Sequence, residues 1–251
     1  MDRQRLERIF DVLTHLAGHG PCTATELSRA LRTPLSSTHD LLRAMAEARL
    51  VDVIDRSYGL GPRALRTALA VMDSVGVQRV ARRHLERLAE DSGFDVYLAM
   101  GTGNRVVYVS RHPGRQHVNL DIPLGRSLLL HSTAVGKLFA AFDRNVHQTM
   151  MAKPRPAVTG ETLTSARELD RDLAVIRRRR VSVSRGESLK DIVGLATPVF
   201  APDQSLAAAV HVSALRTSLP TSRVGSVVEQ MLATSAAIEA ELAEPTAVAS
   251  A

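Results

Sequence analysis

At 251 residues, with 45% apolar and 23% charged side chains, the chain is too long for one minimal domain and too apolar to be disordered; it suits one domain of about 75 residues and one of roughly 170. One cysteine, Cys22, excludes an internal disulfide, and no Cys/His cluster has zinc-site spacing, so no metal, no cofactor and a reducing cytoplasm are expected. Lysine and arginine exceed acids by 6, which permits a polyanionic partner, while 3% aromatic residues and no tryptophan leave single-stranded nucleic acid without stacking platforms. Residues 1–75 hold ten arginines against nine acids, so a duplex-binding argument there must rest on pattern. The opening Asp2, Arg3, Arg5 and Glu7 are unlike a signal peptide, and no run is long enough to span a membrane, so neither is expected.

In chain order, Leu6, Ile9, Phe10, Leu13 and Leu16 recur at spacings of three and four, which predicts a helix over 4–18 with one buried face, stopped by Gly18, Gly20 and Pro21. Thr23 precedes Glu26 in a capping-box arrangement that starts a short helix to about Ala30. Arg32, Thr33 and Pro34 break the chain before a third helix, capped by Ser36 or Ser37, with Leu41, Leu42, Met45 and Ala46 inward. A strand over 50–54, a turn at Asp55-Arg56-Ser57 and a return strand from Tyr58 make a small hairpin, the wing of a winged helix-turn-helix over 1–61. Residues 62–76 then read as a connecting helix that Pro62 opens.

The second domain is expected over 77–243. Its first helix carries Val80, Leu85 and Leu88 and ends at Ser92-Gly93. Two β-rich runs, 94–100 and 105–110, flank the turn Gly101-Thr-Gly-Asn and read as an antiparallel hairpin, with a third strand over 117–120. Helices follow over 133–142 and 164–180, strands over 192–200 and 206–213, and a last helix from Pro220 to about Leu242, with residues 244–251 as a frayed tail. The fold class is α+β, with a central antiparallel sheet flanked by helices.

A helix that enters the major groove must offer short polar groups near its N-terminal end. Ser36, Ser37, Thr38 and His39 supply them, Arg43 and Arg32 can reach phosphates, and Arg56 sits at the wing tip, where a cation can enter the minor groove. The same serines also serve as plain caps and the arginines as a solvated face. Arg3, Arg5 and Arg8 can touch flanking phosphates and equally suit an exposed helix start. The run Arg177 to Arg180 ends a helix, where cations favour the dipole, so it reads as a solvated cap before a second DNA site.

This order of parts, with Gly125-Arg-Ser-Leu-Leu-Leu-His-Ser-Thr-Ala-Val-Gly-Lys at 125–137, the junction Tyr58-Gly-Leu-Gly-Pro-Arg, the segment 181–187 and Ala196-Thr-Pro-Val-Phe, resembles the IclR family of bacterial transcription regulators. The resemblance covers residues 4–243. It implies a winged-helix DNA-binding domain, a linker helix and a GAF-like effector domain, assembled as a homodimer or a dimer of dimers on a double-stranded operator. Two positions depart from the family pattern: Leu35 stands where a lysine is usual after the proline, and Asp40 where an arginine often follows the histidine. Asp40 can accept from a cytosine amine or pair with Arg43.

The resemblance further implies that a small-molecule effector is held by Leu128, His131, Ser132, Thr133, Ala134 and Gly136, by Gly194 on one strand, and by His211 and Ser213 on the next. The start of the helix near Ser132, Thr133 and Ala134 would offer unpaired amides to a carboxylate. Gly194 replaces a cysteine frequent in the family and His211 a serine, which implies a bulkier partner for an acidic effector, one that carries charge when protonated; His211 as a satisfied core histidine stays open. Ser184 stands where some relatives carry aspartate.

No nucleophile-base pair, paired carboxylates or nucleotide loop has a recognised spacing, and Gly101-Thr-Gly-Asn lacks the rest of a dinucleotide fingerprint, so no enzyme is expected. Two readings remain: an effector-modulated, sequence-specific regulator, and an effector-independent DNA-binding or architectural protein whose C-terminal domain only oligomerises.

Overall fold

The computed structural model describes residues 3–74, 76–116 and 124–244. The predicted strand over 117–120 and the tail from 245 onward lie outside them. The chain divides into two compact units, residues 1–75 and 76–251.

The first unit contains α1 (Arg3–His19), α2 (Ala24–Ala30), α3 (Leu35–Glu47), β1 (Val51–Ile54), β2 (Ser57–Leu60) and α4 (Pro62–Ser74). Val12 and Leu16 of α1, Leu27 of α2, Leu42 and Met45 of α3 and Val51 of β1 form its core. Leu6 and Phe10 depart from expectation: both lie exposed, and Val12 takes the inner position, because the stripe of apolar residues on α1 is wider than the face its neighbours cover. The Thr23–Glu26 capping box is present, the Glu26 carboxylate accepting the Thr23 amide at 2.7 Å. α3 starts earlier than predicted, with Pro34 as its N-cap and no side-chain cap, so Ser36 and Ser37 lie inside its first turn.

β1 and β2 pair antiparallel with Ile54 opposite Ser57, which leaves a two-residue turn. Asp55 and Arg56 both adopt positive φ, 47° and 68°, as a turn matching the strand twist requires. Tyr58 also exchanges two backbone bonds with Cys22, at 2.8 and 3.0 Å, anchoring the hairpin to the segment before α2. A Cβ on Gly61 would lie 2.5 Å from the Arg49 carbonyl oxygen, so only glycine fits where the hairpin passes α3 on its way to α4.

The second unit contains α5 (Gly76–Ser92), β3 (Asp95–Thr102), β4 (Arg105–His112), α6 (Ala134–Phe142), α7 (Arg144–Ala152), α8 (Ala166–Arg179), β5 (Ser182–Arg185), β6 (Ile192–Phe200), β7 (Leu206–Leu215) and α9 (Thr221–Ala243). The strands form one antiparallel sheet in the order β4-β3-β7-β6-β5. Side chains alternate across it. Tyr97, Ala99, Tyr108, Ala196 and Ala209 face α6 and α8, where Val135, Leu138, Phe139, Leu173 and Ile176 close a core. On the other side Thr197 meets Ser235 of α9 at 2.8 Å, and α9 packs with α5.

Two elements were not expected. α7 is capped by Asp143, whose carboxylate accepts from the Asn145 and Val146 amides. β5 pairs Ser184 with Gly194 at the sheet edge. The basic run behaves as an end cap: Arg177 donates to the Ala141 carbonyl, and Arg180, at positive φ, pairs with Glu239 at 2.8 Å while its guanidinium lies 4.8 Å from the Phe200 ring centre.

Candidate functional site

Two separate surfaces carry the residues singled out above. In the first unit, helical spacing sends Thr38, Leu42 and Met45 inward and leaves Ser36, Ser37, His39, Asp40 and Arg43 exposed. Arg32 is exposed at positive φ in the turn before α3, and Arg56 is exposed at the hairpin tip. Thr38 corrects the expectation. It is 2% exposed, and its hydroxyl donates to the Pro34 carbonyl at 3.0 Å and meets Thr33 Oγ1 at 2.8 Å, so it ties the helix start to the preceding turn instead of offering a group to a groove. Among the described residues Asp40 and Arg43 form no ion pair. What remains outward is a polar set of side chains able to meet phosphates and base edges.

In the second unit, Leu128, Thr133, Ala134, Gly194, His211 and Ser213 line one pocket of about 340 Å³. Tyr108, Arg126, Ser127 and Leu129 line it too, with Ser184, Ser188, Leu189 and Ile192 from the β5–β6 side. Three expected residues do not. His131 is buried, with its ring Nε2 3.0 Å from the Pro156 carbonyl oxygen. Ser132 is buried as well, and its carbonyl accepts from Ser184 Oγ at 2.8 Å. A Cβ on Gly136 would fall 2.5 Å from Leu130 Cα and 2.6 Å from the Leu129 carbonyl oxygen, so this glycine lets the 128–130 loop lie against α6 and so shapes the wall from behind.

Thr133 caps α6 by accepting the Gly136 amide at 3.0 Å, and Thr133 and Ala134 at the start of that helix line the pocket. Among the described lining residues no carboxylate appears, and Arg126 is the charged one. His211 is buried, and burial pushes its pKa down to about 3, so of the two forms open to it the neutral imidazole is the one present. Its Nδ1 lies 3.0 Å from Tyr108 Oη. Burial also raises the Tyr108 phenol, so the pair is neutral on both sides. The phenol donates to Nδ1, because the reverse arrangement would leave a buried hydroxyl proton unmatched, at a cost of about 1–3 kcal/mol. Nε2 then carries the proton. It sits over Gly194, where a Cβ would be 3.0 Å away, so glycine makes the seat for the histidine ring.

Lys137, the last residue of the 125–137 segment, is 1% exposed. Its ammonium donates to both Glu187 oxygens at 2.8 Å and to the Val183 carbonyl at 2.9 Å, and lies 3.0 Å from Asp172. Desolvation raises the Glu187 carboxyl and Lys137 opposes that rise. Thr162 and Thr159 donate to the Glu187 and Gly186 carbonyls at 2.7 Å. The loop bearing Ser188 and Leu189 is therefore held from beneath.

Arg126 and Ser127 belong to the motif segment but not to its helix start, and Tyr108 carries no sequence mark, since β3 lies between its strand and that of His211. Their role follows only once β4 lies beside β3. No group of His, Cys, Asp and Glu able to hold a metal ion occurs among the described residues, and no described helix is long and apolar enough to cross a membrane.

The model of the IclR helix-turn-helix domain matches residues 5–53, and that of the bacterial transcriptional regulator IclR C-terminal region matches residues 69–240. A probable transcriptional regulator, SauR, from Cupriavidus necator is 28% identical over 83% of each chain. The transcriptional repressor AllR from Escherichia coli is 26% identical over 84% of this chain and 79% of its own. Among solved structures, IclR from Thermotoga maritima superposes with a TM-score of 0.79 at 21% identity, covering 97% of this chain and all, 100%, of that one. An IclR homologue from Microbacterium hydrocarbonoxydans, complexed with 4-hydroxybenzoate, gives 0.79 at 24% identity over 95% and 98% of the two chains. At these identities the structures speak for the fold.

Proposed function

The chain belongs to the IclR family of bacterial transcriptional regulators, which are not enzymes, and from that premise we propose that it binds a two-fold-related duplex operator and is modulated by a small organic carboxylate or aromatic catabolite. In this reading α3 lies in the major groove with Ser36, Ser37, His39 and Arg43 toward the bases and phosphates, and Arg32 and Arg56 reach the backbone and the minor groove. The working species is a homodimer or dimer of dimers in the cytoplasm, because paired recognition helices read paired half-sites.

The observation that carries the effector reading is the composition of the pocket: apolar walls from Leu128, Leu129, Leu189 and Ile192, no carboxylate among the described lining residues, and Arg126, the α6 start and a neutral His211 N–H as donors. That set suits an anion with an apolar body. The 4-hydroxybenzoate bound to the Microbacterium relative is a molecule of this class. Binding changes how the paired second units hold the winged units and so weakens the operator complex, the response of a repressor.

Thermal melting of the full chain with 4-hydroxybenzoate and a set of short aliphatic carboxylates tests the effector reading. A ligand at about 100 times its Kd should stabilise by about 2.7 kcal/mol. His211→Ser should reduce that gain. Tight duplex binding with no stabilisation by any carboxylate would instead favour a second unit that only oligomerises.

A further inference from the structure

α3 is short of cations. Its outward stripe runs Ser36, Asp40, Arg43 and Glu47, all exposed, so the recognition helix brings two carboxylates and one guanidinium to a surface that must meet a polyanion. Affinity for a duplex backbone therefore needs positive charge from another element aimed at the same place.

We infer that a cleft between α1 and α3 is a backbone-phosphate site, in which Arg5 and Arg8 supply the charge that α3 lacks. This rests on the duplex-binding reading above. Arg5 and Arg8 stand three residues apart on one face of α1, and both line a cleft of about 300 Å³ whose other wall is Thr33, Ser37, Thr38, Asp40 and Leu41. Arg5 is exposed and Arg8 half-buried, and neither forms an ion pair among the described residues.

The hydroxyls on the α3 wall sort by proton count. Thr38 gives its proton to the Pro34 carbonyl, so in the contact between Thr33 and Thr38 it is Thr33 that donates. Both are spent on the turn. Ser37, exposed at the rim, is left to donate to a phosphate oxygen. Asp40 also lines the cleft and opposes an anion there, so the site carries two guanidinium charges against one carboxylate. A phosphodiester, with one charge and two free oxygens, matches the remaining positive charge and the forked donors. Held there, it would fix the depth and register of the α3 start over the bases.

A phosphate contact is independent of sequence, so a short duplex of scrambled sequence serves as the probe for the full chain. Fluorescence anisotropy across a salt series should show a linear fall of log affinity with log salt. Arg5→Ala and Arg8→Ala should each lower the magnitude of that slope by about 1 and weaken scrambled and upstream duplexes alike. Asp40→Asn should strengthen binding to the scrambled duplex, and Arg87→Ala in the second unit should leave the slope unchanged. Melting temperatures equal to that of the parent chain establish that the variants fold. Slopes for Arg5→Ala and Arg8→Ala that coincide with the parent's, or loss restricted to one duplex sequence, would overturn the phosphate site while leaving duplex binding intact. A parent chain that binds no duplex at low salt would overturn both the site and the reading beneath it.

Discussion

The two units treat polar side chains in opposite ways. On α3 the groups proposed to act, Ser36, Ser37, His39 and Arg43, are exposed and form no side-chain hydrogen bond or ion pair among the described residues, while the one that is buried, Thr38, is consumed by the turn. In the pocket the groups proposed to act are already bonded: Tyr108 to His211, Ser184 to the Ser132 carbonyl, Thr133 to α6. A solvated, unpaired surface reads a large polyanion through many weak, salt-sensitive contacts. A half-enclosed, pre-bonded wall reads a small molecule by shape and a few fixed donors. Sequence changes should therefore damage the second unit through its folding and the first through its charge.

The largest expected effect is on the second unit. Lys137→Met leaves Glu187 and Asp172 facing each other without their shared cation, and breaking a buried pair of this kind costs about 3–5 kcal/mol. Urea melts should show it, and adding Glu187→Met should recover part of the loss. A loss below about 1 kcal/mol would mean that water reaches the Lys137 site.

Next comes pH. His211 has a folded-state pKa of about 3 against an ordinary 6.5, so between those values the unfolded chain binds the extra proton and stability falls as the medium is acidified. The contribution approaches about 1.4 kcal/mol per pH unit below 6.5. Melting followed from pH 7 to pH 5 should show a flatter profile for His211→Gln than for the parent. Parallel profiles would place a charged or solvated histidine in the pocket. The smallest effect belongs to the first unit: Thr23→Ala removes the α2 capping box and should cost about 1 kcal/mol, with the second unit's melting unchanged.

The order of helices and strands was legible because each carries its period or its cap: the Thr23–Glu26 box, the turn at Asp55 and Arg56, the hairpin around Gly103. α7 was missed although Asp143 stands ahead of Val146 and Met150, a cap followed by a four-residue apolar spacing. β5 gave little signal, because Ser182 and Ser184 point inward and a strand with polar inner residues shows no alternation of hydrophobicity. Thr38 could have been read as inward from its spacing to Leu42 and Met45. Half of the pocket was not legible at all. Tyr108 and Arg126 join His211 only through strand order, and the neutrality of His211 follows from enclosure, which a linear pattern does not encode.

In the proposed function, occupancy of the pocket and grip on the duplex are one equilibrium. Anisotropy of the full chain on a duplex from its own upstream region, with and without a carboxylate that raises the melting temperature, measures this directly. A coupling of about 1–3 kcal/mol, read as an affinity about 5–150-fold weaker with the pocket filled, is the expected result. An unchanged affinity at saturating ligand would contradict it.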